Sequence, residues 1–317
     1  MTSDLATLNR GIEMQPGIWL HEFRNARAFL QALHPLSEFW PQGETWIFRG
    51  HADADWFLHP AAHRARQWEP FTSIHATTFD PTKASEINRS RREMQLVREF
   101  FSAVDDAGLS VPDFARLRDL LDPLRPTSNH TSRVYWPEPE LVPILALAQH
   151  YGLPTRLLDW SRFGRVAAYF SALSEAPGAS HLAVWALQVP KLAELRMTSG
   201  KALWDVASAP RSSNPNLHAQ SGLFTFCHWW IDEIVPLDEL VSAGLANFKN
   251  MTQQHDATAC LMRKMVLPRQ AANDLMRLLH IEGVSALTLF PGFAGAAKHV
   301  QERLSCSLVD PPAFSEG

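Results

Sequence analysis

The sequence has few cysteines and no long apolar run. Its 317 residues include three cysteines, Cys227, Cys260 and Cys306, which lie far apart and form no C-x-x-C pair. This excludes a disulfide framework and a cysteine-based zinc site, and we expect free thiols in a reducing compartment. The apolar run Leu141–Ala148 contains a proline and falls well short of the ~20 residues that cross a membrane. Because the first 20 residues also lack a signal-peptide pattern, we expect a cytoplasmic protein without membrane contact.

Several nucleotide-binding and hydrolase motifs are missing. The sequence contains no G-x-x-x-x-G-K-[ST], G-x-G-x-x-G, H-E-x-x-H or G-x-S-x-G. Their absence argues against P-loop NTPases, Rossmann dehydrogenases, zincins and α/β-hydrolases. A strong excess of one charge is missing too, since the formal net charge is −4. Nucleic acid could therefore be bound only through a local basic patch.

The composition is that of a folded protein, with 46% hydrophobic and 20% charged residues. Segments with strand and helix periodicity alternate unevenly, without a regular βαβ rhythm, which favours an α+β fold with a mixed central sheet flanked by helices. The predicted strands are Thr45–Gly50, His181–Val189, Leu223–Trp230, Cys260–Leu267 and Val284–Leu289, and the predicted helices are Glu86–Val104, Glu140–Tyr151, Gly164–Leu173, Leu237–Asn247, Arg269–His280 and Ala294–Leu304.

We predict a single domain over residues 1–317, with its core at about 18–305. Residues 60–85 have no clear period and are expected to form a loop. Residues 108–139 contain five prolines. Proline cannot supply the hydrogen bonds of a central sheet, so this stretch is predicted to be an irregular surface insertion away from the functional site.

The first candidate segment surrounds Arg49, at the end of a predicted strand and directly before Gly50. A guanidinium fork in this position suits bidentate pairing with a phosphate or carboxylate. Since glycine has no Cβ, a ligand could also approach the backbone there closely. The alternative is structural, with Arg49 paired across the turn with Asp53 or Asp55.

The second candidate segment runs from Gln149 to Ser161 around a Gly-Leu-Pro helix exit. A histidine side chain titrates near neutral pH, so His150 is a candidate acid, base or hydrogen-bond donor. Tyr151 offers a ring for stacking and a hydroxyl. Arg156 and Asp159 are three residues apart and could simply pair with each other.

The third candidate is Gln220, in a polar loop that enters a predicted strand. A glutamine there can recognise an amide or hydroxyl, and it can equally cap the loop, which we favour slightly. Two further patterns are weaker. His51, His59 and His63 have no cysteine nearby, so no metal site is predicted. The arginines of the helix Glu86–Val104 form the best basic patch, although an exposed basic helix face usually contacts solvent and binds no ligand.

Together these segments resemble the FRG domain family, named after a Phe-Arg-Gly tripeptide that is Phe48-Arg49-Gly50 here. The family's Gln-His-x-Gly-Leu-Pro-Thr-x-Leu-Leu-Asp-Trp run matches Gln149–Trp160, with Ala167–Phe170 after it. An Ala-Gln-x-Gly-x-Phe run matches Ala219–Phe224. A fourth block, LFPDLDG in many members, corresponds to Leu289–Gly295. In this block Gly292 and Ala294 replace the two aspartates, so any family chemistry that needs that acidic pair would be lost.

FRG domains resemble mono-ADP-ribosyltransferases in outline, and this resemblance implies a transferase-like core with NAD as substrate and no metal. It implies that Arg49 and Gly50, with Thr155 and Arg156, bind the cofactor. His150 and Tyr151 would lie beside the nicotinamide ribose. Gln220 stands where such enzymes carry a catalytic glutamate, so Asp159 or Glu233 would have to supply the carboxylate.

The functional class implied by the resemblance is an NAD-using ADP-ribosyltransferase or NAD glycohydrolase of toxin or anti-phage defence character. A macromolecular acceptor, protein or nucleic acid, and a neutralising partner would accompany it. The competing hypothesis is a non-catalytic module that binds a phosphorylated ligand or nucleic acid through Arg49 and the helical arginines. A metal-dependent nuclease or hydrolase is the third alternative. A shared cleft lined by Arg49, His150, Tyr151 and Asp159 would favour the enzyme.

Overall fold

A computed structural model describes residues 11–41, 43–75, 79–111, 117–118, 136–198, 204–210, 214–227, 234–252 and 260–306. Within these residues the chain forms an eight-stranded sheet with helices on both faces. The strands are β1 (Ile12–Gln15), β2 (Ile18–Glu22), β3 (Trp46–His51), β4 (Leu158–Ser161), β5 (His181–Gln188), β6 (Trp204–Ala207), β7 (Gly222–Cys227) and β8 (Met262–Pro268). The helices are α1 (Ala26–Ala32), α2 (Glu86–Asp106), α3 (Val142–His150), α4 (Gly164–Leu173), α5 (Val189–Thr198), α6 (Pro215–Ala219), α7 (Leu237–Thr252), α8 (Ala272–Ile281), α9 (Ala286–Leu289) and α10 (Phe293–Cys306).

The sheet is mixed, as the sequence predicted for an α+β fold. Its strand order is β1-β2-β8-β5-β3-β4-β7-β6. The β2–β8 pair is parallel, and the other neighbouring pairs are antiparallel. No helix among the described residues is long and apolar enough to span a bilayer.

The centre of the sheet separates between β3 and β4. Strand β3 pairs with β5 along its whole length, from Trp46 to His51. It pairs with β4 only where Phe48 faces Ser161. Beyond this pair the two strands diverge, and the backbone groups on their facing edges need other partners. The opening lies next to Arg49 and Asp159, so the fold itself places two of the candidate residues at one gap.

Buried side chains on both sheet faces fix the helices. Helices α1, α4 and α8 cover one face, where Phe48 packs, and helices α5 and α7 cover the other, where Ile47 and Trp185 pack. Phe48 and Ile47 alternate between the faces, as the period of a strand requires. A third cluster joins α2 and α3 to Phe224 and Phe226 of β7.

Several predicted elements differ from the structure. The stretch predicted as a strand at Val284–Leu289 forms the short helix α9, because Ser285 and Thr288 make a capping box at its start. Strands β1, β4 and β6 were not predicted, and at Ile18, where β2 begins, the sequence was compatible with either a strand or a short helix. The expected loop at 60–85 contains two 3-10 segments, Ala61–His63 and Ala65–His75.

The proline-rich stretch 108–139 lies mostly outside the described residues. Its described parts contain no strand. They are nevertheless not confined to the surface, since Val111, Leu117 and Trp136 are buried against α2 and α3. The prediction from the prolines is wrong at these positions because burying the apolar side chains in a core cluster is favourable. The three cysteines, Cys227, Cys260 and Cys306, are free thiols, as predicted.

Candidate functional site

A cleft of about 860 Å³ opens where β3 and β4 diverge. Five of the predicted site residues line it: Arg49, Gly50, His150, Asp159 and Gln220. They come from β3, the end of α3, β4 and the loop before β7. Residues separated by up to about half of the chain therefore meet at one opening.

Arg49 bridges the gap between the diverging strands. Its Nη1 donates to the main-chain oxygen of Asp159 at 2.8 Å and lies 3.5 Å from the carboxylate Oδ2. Its Nε donates to Nε2 of His51 at 3.2 Å. The expected pairing with Asp53 or Asp55 is wrong, because the opened sheet exposes the Asp159 carbonyl on the facing edge. Among the described residues no partner is seen for Nη2, which leaves that nitrogen able to donate to a ligand.

Arg49 is largely buried, whereas its partner Asp159 is exposed. Its side chain is 15% exposed, whereas that of Asp159 is 60% exposed. Burial lowers the pKa of Arg49 from its usual value, and the neighbouring Asp159 partly counteracts this. Burial, followed by the charge of Arg49, lowers the pKa of His51 well below 6.5, so His51 is neutral at pH 7.

Gly50 is required by packing. A Cβ at this position would overlap the carbonyl oxygen of Ala167 and crowd the amide of Ser171 on α4. Our expectation that its missing Cβ makes room for a ligand is therefore wrong. The space is taken by α4, which approaches β3 closely and forms one side of the cleft.

Within the second candidate segment, Asp159 is bound by Gln149, which is bound in turn by Thr155. Gln149 donates from Nε2 to Oδ1 of Asp159 at 2.5 Å. The Oε1 of Gln149 accepts a hydrogen bond from the hydroxyl of Thr155. Thr155 itself is fully buried, so it lies beneath the cleft and not on its wall.

Arg156 lies in a buried ion-pair network away from the cleft. Its Nε is 2.7 Å from Oε2 of Glu93, and its Nη1 is 3.1 Å from Oε1 of Glu86. The alternative pairing with Asp159 is not formed, because Glu86 and Glu93 of α2 bind the Arg156 guanidinium instead. The pKa of Arg156 is raised, because the attraction of both carboxylates outweighs the effect of burial. The network fastens the segment that carries Asp159 to α2.

His150 and Tyr151 occupy the rim. His150 lines the cleft, and its Nε2 is 3.1 Å from Nδ2 of Asn216. Tyr151 is 68% exposed, and its ring lies 5.2 Å from the ring of His150 and 6.4 Å from that of Phe100. The structure therefore brings His150 to the cleft but leaves Tyr151 outside its lining.

Gln220 connects the third and fourth blocks. Its Nε2 donates to the main-chain oxygen of Leu289 at 3.1 Å, and its own main-chain oxygen accepts from the Ser161 hydroxyl at 2.8 Å. Gln220 thus fastens the loop that places Phe290 in the cleft wall. Its side chain therefore binds the end of α9 and not its own loop, while Gln220 also lines the cleft. Glu233, the other carboxylate considered, lies outside the described residues.

The fourth block forms a turn beside the cleft. Gly292 has φ +101°, a conformation that favours glycine, and a Cβ on Gly295 would overlap the carbonyl oxygen of Phe290. Phe293 is 97% exposed. The departures from the family pattern at Gly292 and Ala294 leave this turn without an acidic pair.

The cleft also contains aromatic and basic side chains to which the sequence analysis assigned no role. The segment after β3 contributes Trp56, Phe57, Arg64 and Arg66, all of them exposed. On the opposite side, Phe170 and Phe290 meet at a ring distance of 6.0 Å. The available signal was the pair of aromatics and the pair of arginines between Trp56 and Arg66, in a stretch otherwise without periodicity.

The charge in the cleft is locally positive. Arg49, Arg64 and Arg66 line it, with Asp55 and Asp159 as the lining carboxylates. Desolvation by the surrounding protein atoms, followed by the charge of Arg49, lowers the pKa of Arg64 although part of its side chain contacts solvent, and Asp159 offsets part of this effect. An excess of guanidinium groups in a chain with a net charge of −4 favours an anionic ligand.

The two weaker patterns were the arginines of α2 and the histidines that follow β3. Arg89 of the predicted basic helix is buried and pairs with Glu86 at 2.8 Å, so it cannot contribute to a surface patch. His63 is largely buried, and this burial lowers its pKa to about 3. No group of three His, Cys, Asp or Glu side chains in the described part of the chain is arranged to hold a metal ion.

Comparison with known proteins supports the family resemblance over part of the chain. Residues 44–179 match the family model of the FRG domain. The match contains Arg49, Gly50 and Gln149–Trp160, whereas Gln220 and Leu289–Gly295 lie beyond it. No curated protein and no solved structure matches the chain.

Proposed function

We propose, from the FRG domain at residues 44–179 and the geometry of the cleft, that this protein binds NAD and cleaves its nicotinamide–ribose bond. ADP-ribose would pass to a macromolecular acceptor or to water. The observation that carries this proposal is the placement of Arg49 and Asp159 on facing strands of one cleft. Toxin or anti-phage character and a neutralising partner remain predictions from the family resemblance.

The size and walls of the cleft suit a dinucleotide. Small-molecule sites commonly have volumes of roughly 300–1,000 Å³ with mostly apolar walls and a few placed polar groups. The cleft, at about 860 Å³, is near the upper end of that range. Trp56, Phe57 and Phe290 offer ring faces for a nicotinamide or adenine base.

The pyrophosphate would lie against the arginines. Nη2 of Arg49 has no hydrogen-bond partner among the described residues and can donate to a phosphate oxygen. Arg64 and Arg66 add two exposed guanidinium groups on the adjacent wall. Guanidinium–phosphate hydrogen bonds are charge-assisted and directional, so these groups would fix the ligand's register.

Asp159 would supply the carboxylate. Breaking the nicotinamide–ribose bond produces positive charge on the ribose, and a nearby carboxylate stabilises an oxocarbenium-like centre. Gln220 cannot take this role because its amide is uncharged and donates to Leu289. Asp159 has an exposed carboxylate, and it lines the same cleft as His150.

A specific observation favours a second candidate. The Asp159 carboxylate already accepts from Gln149 and lies beside Arg49, which reduces its capacity to stabilise a new charge. In a non-catalytic module the same arrangement would hold Arg49 ready for the phosphate of a ligand that is bound and released unchanged.

The two candidates are separated by a turnover assay. Purified protein is incubated with NAD, with and without cell extract, and nicotinamide release and labelled macromolecules are measured. The enzyme hypothesis predicts release by the wild type and loss of at least about 100-fold in Asp159→Asn, the scale on which removal of one electrostatic stabiliser acts. Asp274→Asn, on the exposed end of α8, is the matched control and should retain activity. Binding of NAD without any release would support the module, and an Asp159→Asn protein as active as the wild type would exclude the assigned role of Asp159.

A further inference from the structure

We infer that Gln149 and Thr155 are positioning residues that fix the orientation of the Asp159 carboxylate. Two hydrogen bonds form a chain, from the buried hydroxyl of Thr155 to the Gln149 amide and from that amide to Asp159. The consequence for catalysis rests on the proposed function, whereas the orientation itself can be tested without any substrate.

The Gln149 amide has two orientations that differ by exchange of its oxygen and nitrogen. Only one of them directs Nε2 toward Oδ1 of Asp159, at 2.5 Å. The other would bring an amide oxygen against the carboxylate, which is repulsive because both groups are acceptors. The Thr155 hydroxyl must donate to fix the productive orientation, and it does so to Oε1 of Gln149.

Thr155 is itself immobilised. It is fully buried, and its main-chain oxygen accepts from the amide of Ala62 at 3.0 Å. The next residue, Arg156, donates from its main-chain nitrogen to Glu93 at 2.7 Å and from its side chain to the same carboxylate. Thr155, the first donor of this hydrogen-bond chain, therefore belongs to a segment that Glu93 holds against α2. Its hydroxyl is shielded from solvent, so water does not compete for the hydrogen bond to Gln149.

The hydrogen-bond chain also makes the two carboxylate oxygens of Asp159 different from each other. Oδ1 is engaged by Gln149, whereas Oδ2 lies 3.5 Å from Nη1 of Arg49. That nitrogen is closer to the main-chain oxygen of Asp159, at 2.8 Å. Oδ2 is thus the more weakly bonded oxygen of a 60% exposed side chain, and we assign it as the oxygen that meets the ligand.

The orientation is tested by NMR of the Gln149 side-chain amide. In the full-length protein this signal is assigned by its disappearance in Gln149→Met. Thr155→Val keeps the shape of the side chain but removes the donor, and Thr155→Ser keeps the donor. We expect the amide signal to shift in Thr155→Val and in Asp159→Asn, and to return close to its wild-type position in Thr155→Ser. An unchanged amide signal in Thr155→Val would overturn the inference.

Kinetics provide the second readout. With NAD as substrate, Thr155→Val and Gln149→Met should lower kcat about 10- to 100-fold while KM changes less than about threefold, since misplacing a reacting group by about 1 Å carries a cost of up to about 100-fold. Thr155→Ser should restore kcat. Equal losses in Thr155→Val and Thr155→Ser would indicate a merely structural role and overturn the inference. If the wild type releases no nicotinamide, the proposed function fails, and the amide signal alone then decides the orientation.

Discussion

Nη1 of Arg49 donates to the main-chain oxygen of Asp159 at 2.8 Å, at a point where strands β3 and β4 have stopped pairing through their backbones. A side chain thus takes the place of a ladder hydrogen bond. Because the same guanidinium keeps Nη2 for a ligand, stability and ligand binding are coupled through one residue.

Replacing Arg49 with lysine tests this coupling. Lysine keeps the charge but loses the fork that reaches Asp159 and His51 together. We expect the free energy of unfolding to fall by about 1–3 kcal/mol, the usual worth of hydrogen bonds to charged groups. Urea unfolding followed by tryptophan fluorescence measures the change. Arg277→Lys, in an exposed pair on α8, serves as control and should be neutral. A fully stable Arg49→Lys protein would show that the bridge contributes nothing.

Gly50→Ala should separate α4 from β3. The added Cβ would overlap the carbonyl oxygen of Ala167, a backbone atom that can move only with its helix. We expect a loss of about 1–3 kcal/mol or more, the range for overpacking a core. Gly108→Ala adds a Cβ into open space at φ +64° and should cost about 1–2 kcal/mol through backbone strain alone. Thermal melts compare the two, and the prediction fails if Gly50→Ala melts at the wild-type temperature.

Glu93 should be essential for the segment that carries Asp159. Its carboxylate accepts from Arg156 and from Nε1 of Trp136, and its side chain is 1% exposed. Glu93→Gln would leave the buried Arg156 undercompensated, and breaking such a pair typically costs about 3–5 kcal/mol. Asp274→Asn breaks an exposed pair on α8 and should change stability by less than about 1 kcal/mol. Chemical unfolding of both variants provides the test, and similar small losses would contradict the structural role of the network.

Acid should destabilise the protein through His63. Burial, with the nearby charges of Arg156 and Arg89, lowers the pKa of this histidine to about 3 in the folded state. The unfolded chain binds a proton near pH 6.5, so it gains protons first as the pH falls. Each pH unit between about 6.5 and 3 should then cost up to about 1.4 kcal/mol from this group.

The pH effect is measured by urea unfolding at a series of pH values from 7 to 4. His63→Leu should flatten the slope of unfolding free energy against pH. Identical slopes in His63→Leu and the wild type would mean that His63 is protonated in the folded protein.

Sequence patterns were sufficient to predict the elements whose formation depends on residues close in the sequence. Helix α4 has the bounds predicted from its pattern, Gly164–Leu173, and the strand at Phe48-Arg49-Gly50 was identified from its β-rich residues and its glycine. Local signals failed where distant residues decide the structure. Strand β6 has only four residues and is ordered by pairing with β7. At α9 a local signal was present, the capping box of Ser285 and Thr288, but the apolar residues that follow were interpreted as a strand.

The candidate site could be predicted as a set of residues but not as a set of contacts. Arg49 finds Asp159 across 110 residues, and Arg156 finds Glu93 across 63. The closer partners that the sequence suggested bind elsewhere, since Asp53 accepts from the amide of Asp55 and Asp159 accepts from Gln149. Sequence spacing cannot report where a sheet separates, and that separation decides which groups face the cleft.

Calorimetric titration of the wild-type protein and Arg49→Lys with NAD tests the central claim most directly. We predict saturable binding of NAD and of ADP-ribose by the wild type, since both carry the pyrophosphate that Arg49 would hold. Arg49→Lys should bind both about 5- to 100-fold more weakly, corresponding to about 1–3 kcal/mol. Absence of binding by the wild type at millimolar NAD, or equal affinities in the two proteins, would contradict the account.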